Sequence, residues 1–221
     1  MELFATPDAR ERHADLAADA ADAGVPMWTV TEAALAALSE TVTPQGLVAV
    51  CRHRHHFDLA PVLPAEPRLV AVLAGISDPG NAGTVLRTAD AAGAAAVVFP
   101  DGSVDPYNGK CVRASAGSVF HLDLVRGGSA ADAIRALRAG GLRVLAADAH
   151  GERDLDELSA SGALRAPTAW VFGAEAHGLP DDVADLADAR VRVPIHGLAE
   201  SLNLAAAAAV CLYACASAQR Q

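Results

Sequence analysis

The sequence predicts an α/β protein with a mostly parallel sheet and helices on both faces. Two observations support this prediction. Five continuous apolar runs are typical of strands that are buried on both faces, and helical stretches separate them, as in parallel sheets. We expect strands at residues 69–74, 95–99, 142–147, 168–172 and 189–193, and helices at residues 82–92, 109–116, 130–139 and 201–218.

The composition limits how the chain can bind its partners. Its 221 residues are enough for one full domain and a small additional one, and 52% of them are hydrophobic. The formal net charge is −10 and the sequence pI is near 5.1. A broad basic surface is therefore excluded, so any contact with nucleic acid has to come from locally placed arginines.

Neither a membrane segment nor a metal site is expected. The longest apolar run, residues 204–216, is shorter than the ~20 residues that cross a bilayer, and the first residues lack the pattern of a signal peptide. The four cysteines lack metal-type spacing and predict reduced thiols in a cytoplasmic protein. Cys211 and Cys215 lie one turn apart on the last predicted helix, and we interpret them as core residues.

Residues 1–52 are predicted to form a small α/β domain. Its elements are expected in the order helix, strand, helix, strand, at residues 8–23, 25–30, 32–39 and 46–51. Gly24 ends the first helix, and Thr31 caps the second. A core of two strands and two helices is thin for independent folding.

Residues 53–68 are predicted to link this domain to a larger one at residues 69–221. Three prolines stiffen the linker towards extended conformations. Its histidines lack the cysteines or carboxylates that would complete a metal site, so a solvated basic segment is the better interpretation. Arg52 and Arg54, where this segment begins, are candidates for contacts with an RNA backbone.

The first loop that can carry chemistry, residues 75–89, follows a strand and opens a helix. It lacks both the G-x-G-x-x-G and the G-x-x-x-x-G-K-[ST] spacing, which argues against a dinucleotide-binding or P-loop enzyme. Its polar residues of interest are Asn81 and Arg87. On a helix their offset is about 120°, so the two converge only if Asn81 lies at the helix cap. A simple cap and a solvated arginine are the alternative.

Two further loops follow predicted strands. One contains Gly173 and Glu175, where a glycine permits close approach of the backbone to a ligand. A tight turn with an exposed glutamate is the alternative for that loop. The other loop runs from Pro194 to Ser201 and Asn203, which open the last helix. A helix cap explains one of these two residues, but a polar cluster at a strand-to-helix junction also predicts a ligand site.

Together, the three segments resemble the signature motifs of the SpoU (TrmH) family, the RNA ribose 2′-O-methyltransferases of the knotted SPOUT class. The resemblance extends over residues 69–218 and implies a C-terminal trefoil knot. Residues 43–50 resemble the end of the RNA-binding domain that precedes many SpoU domains. This implies that residues 1–52 are a partial RNA-binding domain, similar to its later half, with the first half missing. The residues that carry the motifs are Asn81 and Arg87, then Gly173, Glu175, Gly178 and Leu179, then Pro194, Ser201 and Asn203.

The resemblance implies transfer of a methyl group from S-adenosylmethionine to a ribose 2′-hydroxyl of rRNA or tRNA. It implies that Arg87 is catalytic and that Glu175 is its charged partner. A guanidinium is a poor general base because it holds its proton firmly, so holding the RNA phosphate and stabilising negative charge on the 2′-oxygen is the simpler role. The residues implied to orient Arg87 and the ribose are Asn81, Glu175, Ser201 and Asn203. The cofactor is expected against Ala147, Gly173, Val193, Ile195 and Leu202.

Surface contacts complete this interpretation. Lys110 and Arg113, on the helix after the Asp101 loop, are candidate RNA-backbone contacts, with solvated surface charges as the alternative. The last predicted helix is apolar on nearly all sides from Leu204 to Tyr213, so it requires cover on more than one side. We expect it at the interface of a homodimer, which the family resemblance also implies.

Two other functions are open at this point. The chain could be an RNA-binding or assembly module that has the same fold without catalysis, although the joint presence of Arg87, Glu175, Ser201 and Asn203 argues against it. It could also be a nucleotide- or NAD-linked α/β enzyme, which the missing phosphate-binding spacing disfavours.

Overall fold

The structure, a computed structural model, describes residues 1–64 and 66–221. Its contacts divide the chain into two compact units, Met1–His53 and Arg54–Gln221. The predicted linker, residues 53–68, includes Ala65, which lies outside the described residues. Each unit has its own sheet.

The first unit is built on a small mixed sheet. β1 is the central strand, because it pairs in parallel with β2 and antiparallel with β3. The sequence does not predict β1, since its four residues include a charge and are too few to show a period. The elements are β1 (Glu2–Ala5), α1 (Pro7–Arg12), α2 (Ala14–Asp22), β2 (Met27–Thr29), α3 (Glu32–Leu38) and β3 (Leu47–Val50).

The helix predicted over residues 8–23 is two helices in the structure. His13 separates α1 from α2 with φ −119° and ψ 48°, which lie outside the helical region. The predicted cap of α3 is confirmed, since the Thr31 hydroxyl accepts a hydrogen bond from the Ala34 amide at 3.2 Å. Thr6 caps α1 in the same way.

The second unit is a parallel α/β sheet. In its described part, β4 to β10 form one sheet in the order β6-β5-β4-β9-β7-β10-β8, and every strand pair is parallel. The five predicted strands are present, which confirms the predicted mostly parallel sheet. The elements are β4 (Leu69–Leu73), α4 (Pro79–Ala92), β5 (Ala96–Phe99), α5 (Gly109–Ala114), β6 (Asp123–Arg126), α6 (Ala130–Ala139), β7 (Arg143–Ala147), β8 (Arg153–Asp154), α7 (Leu155–Ala160), β9 (Thr168–Phe172), α8 (Asp181–Ala184), β10 (Ala189–Arg192) and α9 (Leu204–Ala218).

Four of these elements are not predicted by the sequence, namely β6, β8, α7 and α8. In β6, Asp123 and Arg126 flank only two apolar residues, so there is no continuous run. The segment becomes a strand because it pairs along its length with β5. The other three elements have two to six residues, which is too short for a period to appear.

Helices cover both faces of this sheet, as predicted. Leu69, Ala71 and Leu73 of β4 belong to a hydrophobic cluster that includes residues of α4 and α9. Val70 and Val72 belong to a second cluster that includes residues of α6. Successive side chains of a strand point to opposite faces, so the two clusters lie on the two faces of the sheet.

The two helices next to the predicted site begin at residues other than those expected. α4 was expected to follow an Asn81 cap, but Asp78 is the cap, and its Oδ1 accepts a hydrogen bond from the Asn81 amide at 2.8 Å. Asn81 therefore lies in the first turn. α9 begins at Leu204 with Asn203 as its cap, so Ser201 lies before the helix.

α9 is apolar, but the unit itself covers most of it. Cys211 and Cys215 are buried, which confirms their interpretation as core residues, and this burial raises the pKa of both thiols. The exposed side of the helix carries Ala206, Val210 and Tyr213. Within the described residues, neither α9 nor any other helix is long and apolar enough to cross a membrane.

Part of the predicted linker belongs to the core of the second unit. His56 forms a parallel bridge with Val125 of β6, and Leu59 is buried in the same cluster as α6. The prediction of a solvated segment is therefore wrong for this stretch. Burial of this stretch is hard to predict, because histidines and prolines surround its few apolar residues.

Gly83 marks the closest approach of α4 to α5, and this approach predicts a loss of stability on substitution. A Cβ atom at Gly83 would lie 2.4 Å from the Cys111 carbonyl oxygen and 2.6 Å from the Ala114 Cβ. Gly83→Ala should therefore destabilise the fold by about 1–3 kcal/mol, although alanine favours helices by about 1 kcal/mol. Thermal denaturation should show a Tm lower by several degrees.

Gly197→Ala is the control for this prediction, because its Cβ would meet no atom within 4 Å. Its Tm should match that of the wild type. An unchanged or raised Tm for Gly83→Ala would show that the two helices separate easily.

Candidate active site

The carboxyl ends of β4, β9, β7 and β10 lie side by side. Phe172, the last residue of β9, pairs with Leu73 at the end of β4 and with Ala147 at the end of β7. Ala147 in turn pairs with Val191 of β10. The three loops singled out from the sequence therefore leave the sheet at one edge, after β4 and its neighbour β9 and after β10, which β7 separates from β9.

The Glu175 carboxylate joins the first loop to the second. Its Oε1 accepts hydrogen bonds from Asn81 Nδ2 at 3.0 Å and from the Asp78 amide at 3.3 Å. Its Oε2 accepts from the Ser77 amide at 3.4 Å and from the Ser77 hydroxyl at 3.3 Å. A carboxylate from the loop after β9 thus fixes the start of α4.

Asn81 carries this network on to the third loop. Its Oδ1 accepts a hydrogen bond from Asn203 Nδ2 at 3.2 Å. The Asn203 Oδ1 accepts from the amides of Ala205 and Ala206, so the residue also caps α9. Three of the predicted site residues, Asn81, Glu175 and Asn203, are therefore in direct contact, one from each loop.

The pKa of Glu175 lies below its ordinary value. Partial burial acts to raise the pKa, but the hydrogen bonds from Asn81 and from the Ser77 and Asp78 amides outweigh it. The carboxylate is therefore ionised at neutral pH and only accepts hydrogen bonds. This fixes the Asn81 amide with its nitrogen towards Glu175 and its oxygen towards Asn203.

Asp78 is a residue of the site that the sequence analysis does not single out. Besides capping α4, its carboxylate forms an ion pair with Lys110 Nζ at 2.8 Å. The hydrogen bond from Lys110 is the main cause that lowers the Asp78 pKa, and the Asn81 amide adds to it. The Asp-Pro pair before a helix is a signal for this cap, because aspartate favours the cap position and proline the first turn.

Arg87 does not join the network. It is exposed on α4, on the same side of the helix as Gly80 and Thr84, and about 120° from Asn81. Within the described residues its guanidinium forms no hydrogen bond or ion pair, so the expected pairing with Glu175 is wrong. The reason is that Asn81 lies within the helix rather than at its cap, and this separates the two side chains.

Ser201 also stays outside the network. It lies on the exposed loop before α9, and among residues 1–64 and 66–221 it has no hydrogen-bond partner. Ile195 and Leu202, on the same loop, are 37% and 39% exposed, whereas Val193 packs against the core. This loop therefore presents apolar side chains to the solvent next to the polar network.

Gly173 is required by the turn in which it lies. A Cβ atom there would be 2.3 Å from the Gly178 carbonyl carbon and 2.4 Å from the Leu179 nitrogen. The hydrogen bonds between the main chains of Ala174 and Gly178 close this turn. Any other residue would push the Glu175 loop away from the sheet.

The four basic residues that were expected to contact RNA are all exposed. Lys110 and Arg113 lie on α5, which packs against α4, and Arg54 lies at the start of the second unit. Arg52 belongs to the first unit. Of these side chains, Lys110 is held by its ion pair with Asp78 at the start of α4.

This arrangement suits the positioning of a polar substrate. It provides an ionised carboxylate and two oriented amides beside an apolar loop, and α4 carries the exposed guanidinium of Arg87. In the described part of the chain, no group of three or more side chains could hold a metal ion. The edge therefore offers hydrogen bonds, a positive charge and an apolar wall.

Comparison with known proteins identifies the family. Residues 68–213 match the model of the SpoU rRNA Methylase family, and residues 1–56 match a model described as RNA 2′-O ribose methyltransferase substrate binding. A 23S rRNA (guanosine(2553)-2′-O)-methyltransferase of Bacillus subtilis is 36% identical over 192 residues, which are 87% of this chain and 73% of the relative.

Solved structures agree with these matches. The SpoU methyltransferase AviRb of Streptomyces viridochromogenes, in complex with the cofactor AdoMet, is similar with a TM-score of 0.83 and 29% identity, over 99% of this chain and 82% of that one. An AdoMet-bound rRNA methyltransferase of Sinorhizobium meliloti has a TM-score of 0.75 and 30% identity, over 97% of this chain and 78% of that one. The chain therefore belongs to the SpoU rRNA methylase family.

Proposed function

We propose that this protein transfers a methyl group from S-adenosylmethionine to a ribose 2′-hydroxyl of RNA. The observation that carries the proposal is the hydrogen-bonded contact of Asn81, Glu175 and Asn203, which joins all three family motifs at one sheet edge. The relative from Bacillus subtilis acts on 23S rRNA, and two similar structures hold AdoMet.

The residues at this edge fit the cofactor. Gly173 brings main chain close to the strand ends, Ala147 and Val193 are partly buried walls, and Ile195 and Leu202 are exposed apolar contacts. Apolar walls with main-chain hydrogen-bonding groups suit an adenine ring and a methionine chain. When bound, S-adenosylmethionine supplies an electrophilic methyl group on a cationic sulfonium.

Arg87 and Ser201 are the residues that we assign to the RNA. Both are exposed and lack partners within the described residues, so both can bind a ligand without breaking an internal contact. Arg87 holds a phosphate and stabilises negative charge on the 2′-oxygen, and Ser201 donates a hydrogen bond to the ribose. Asn81, Glu175 and Asn203 keep α4 and α9 in register, so that Arg87 and Ser201 are correctly placed.

We assign RNA binding to the first unit and to local arginines. The first unit matches a substrate-binding family, which supports a role in holding RNA. Arg52, Arg54, Lys110 and Arg113 are exposed and suited to phosphate contacts. Ribosomal RNA is the substrate class that we favour over tRNA, because the relative of known activity acts on 23S rRNA. A cytoplasmic location follows from that substrate.

A trefoil knot in the C-terminal part is also proposed. β9 lies between β4 and β7, and β7 lies between β9 and β10, so the chain returns to the middle of the sheet after β6. α9 then packs against α4, the helix that follows β4. This order of strands and the family membership support a threaded C-terminal segment.

The protein is further proposed to form a homodimer through α9. Ala206, Val210 and Tyr213 of α9 lie at a spacing of three or four residues and form one exposed apolar stripe. Val210 is 42% exposed and Tyr213 is 47% exposed. Leu202, on the proposed cofactor loop just before α9, is also exposed, so an interface along this helix is proposed to extend to that loop.

Binding of S-adenosylhomocysteine should be detectable by calorimetry with the isolated protein. Ile195→Asp should raise the Kd at least about tenfold, because a charge replaces part of an apolar wall and each ~1.4 kcal/mol lost is about tenfold. Leu198→Asp is the matched control, since Leu198 is an exposed apolar residue of the same loop outside the proposed wall. No heat from the wild type at millimolar ligand would defeat the assignment of the cofactor.

Arg87→Ala should reduce methyl transfer to RNA by about 10²–10³-fold, the usual effect of removing one stabilising donor. The Kd for S-adenosylhomocysteine should stay close to that of the wild type, because Arg87 is not assigned to the cofactor. Tritium transfer to 23S rRNA measures the rate. Arg135→Ala removes an equally exposed arginine from α6 and should leave the rate unchanged. Activity of Arg87→Ala within a few-fold of the wild type would exclude the role assigned to Arg87.

Light scattering should give twice the chain mass of 22.5 kDa for the wild type. Val210→Glu should give a monomer, because it places a charge in the exposed stripe without disturbing the core. Ala208 is unsuitable for this test because it is fully buried. Leu16→Glu, at a position of similar exposure on α2, should remain a dimer. A wild-type mass near 22.5 kDa would contradict the proposed dimer.

A further inference from the structure

Phe57, in the second unit, has an aromatic side chain that is exposed to solvent. It is 79% exposed, the most exposed of the aromatic side chains among the large hydrophobic residues of the described chain. Only 4% of the residues are aromatic, and Trp170, Phe99 and Phe172 are fully buried. Exposure of Phe57 therefore needs an explanation other than an excess of aromatic residues.

The segment that carries Phe57 is firmly held. The His56 amide donates to the Leu124 carbonyl at 2.8 Å, and the Arg126 amide donates to the His56 carbonyl at 2.8 Å. The ring of His55, two residues before Phe57, contacts the Phe57 ring edge to face, with the ring centroids 4.9 Å apart. An exposed side chain on a fixed backbone loses little entropy when it binds a ligand.

Tyr107 fixes the same segment from the other side. Its hydroxyl donates to the Arg54 carbonyl at 2.6 Å and accepts from the Arg54 amide at 2.9 Å. Asp105, two residues before Tyr107, forms an ion pair with Arg126 at 3.2 Å. Two arginines belong to the segments that hold Phe57: Arg54 is exposed, and the Arg126 guanidinium is oriented by its ion pair with Asp105.

Phe57 lies at the sheet edge that carries the candidate active site. A Cβ atom at Gly127, the residue after β6, would be 3.8 Å from Phe57 Cδ1 and 3.8 Å from Asp101 Oδ1. Because the strands are parallel, this is the same edge as the loops after β4 and β9. Three strand spacings of ~4.8 Å separate the Phe57 segment from β4, which gives about 14 Å. About four stacked nucleotides, or fewer extended ones, cover that distance.

We propose that Phe57, on a segment that carries the exposed Arg54 and pairs with β6 next to Arg126, stacks on an unpaired base of the RNA substrate a few nucleotides from the methylated ribose. This inference rests on the proposed function. Aromatic rings and guanidinium planes bind unpaired bases by stacking, which contributes about 1–3 kcal/mol per base. Stacking needs no broad positive field, so it suits a chain with a net charge of −10.

Steady-state methyl transfer to an unmodified 23S rRNA transcript tests this proposal. Phe57→Ala should raise the KM for RNA about tenfold, which corresponds to about 1.4 kcal/mol. The kcat at saturating RNA and the Kd for S-adenosylhomocysteine should not change, because Phe57 is remote from the reacting atoms. Phe57→Trp should keep the wild-type KM, since it retains a ring that stacks.

Phe120→Ala is the matched control. Phe120 is 50% exposed and precedes β6, so it lies at the opposite edge of the sheet from Phe57. Its replacement should leave the KM unchanged. An unchanged KM for Phe57→Ala, or an equal effect of Phe120→Ala, would overturn the proposal. So would a loss of activity that accompanies a change of oligomeric mass, because Phe57 would then be a contact between protein chains.

Failure of the wild type to methylate this transcript would refute the proposed substrate and not the role of Phe57. In that case the role of Phe57 is tested by ultraviolet cross-linking of the protein to total cellular RNA from which other proteins have been removed. Mass spectrometry then identifies the peptides that carry a nucleotide. A nucleotide attached to the peptide that contains Phe57 would support the stacking contact. Absence of a cross-link on that peptide would overturn it.

Discussion

In the second unit every described strand pair is parallel, and the site depends on this constraint. Parallel strands end at the same edge, so Asn81 meets residues that are 94 and 122 positions further along the chain there. The first turn of α4, after β4, supplies Asn81, the loop after β9 supplies Glu175, and the cap of α9, after β10, supplies Asn203. An antiparallel strand among them would place one loop at the opposite edge and break the network.

The residues of this network have structural and functional roles at the same time. Asn203 caps α9 with its oxygen and contacts Asn81 with its nitrogen. Asp78 caps α4, donates its amide to Glu175 and pairs with Lys110. Asn203 is therefore both a helix cap and a residue of the site, so the two interpretations of this residue are compatible. For Asn81 the cap interpretation is wrong, because Asp78 is the cap.

The groups left exposed around this rigid centre are the ones available to a ligand. Arg87 extends from α4, Ile195 and Leu202 lie on the loop before α9, and Phe57 lies along the same edge beside β6. A hydrogen-bonded support with free contact groups around it is the arrangement expected of a preorganised binding site. The chain has few aromatic residues and a negative net charge. Ligand binding therefore depends on such individual contacts rather than on a broad positive field at the surface.

The sequence by itself determined the parallel α/β class, the five long strands and the three loops, because apolar periodicity and strand-end glycines are local signals. It also pointed to Asn81, Glu175 and Asn203. Only the tertiary structure decided that Asp78 caps α4, that Arg87 lies apart from Glu175, and that β1 and β6 are strands. These outcomes depend on pairing and packing between distant segments, as when β5 makes a strand of a charged tetrapeptide and the core buries Leu59 of a histidine-rich segment. Local composition carries no record of such partners.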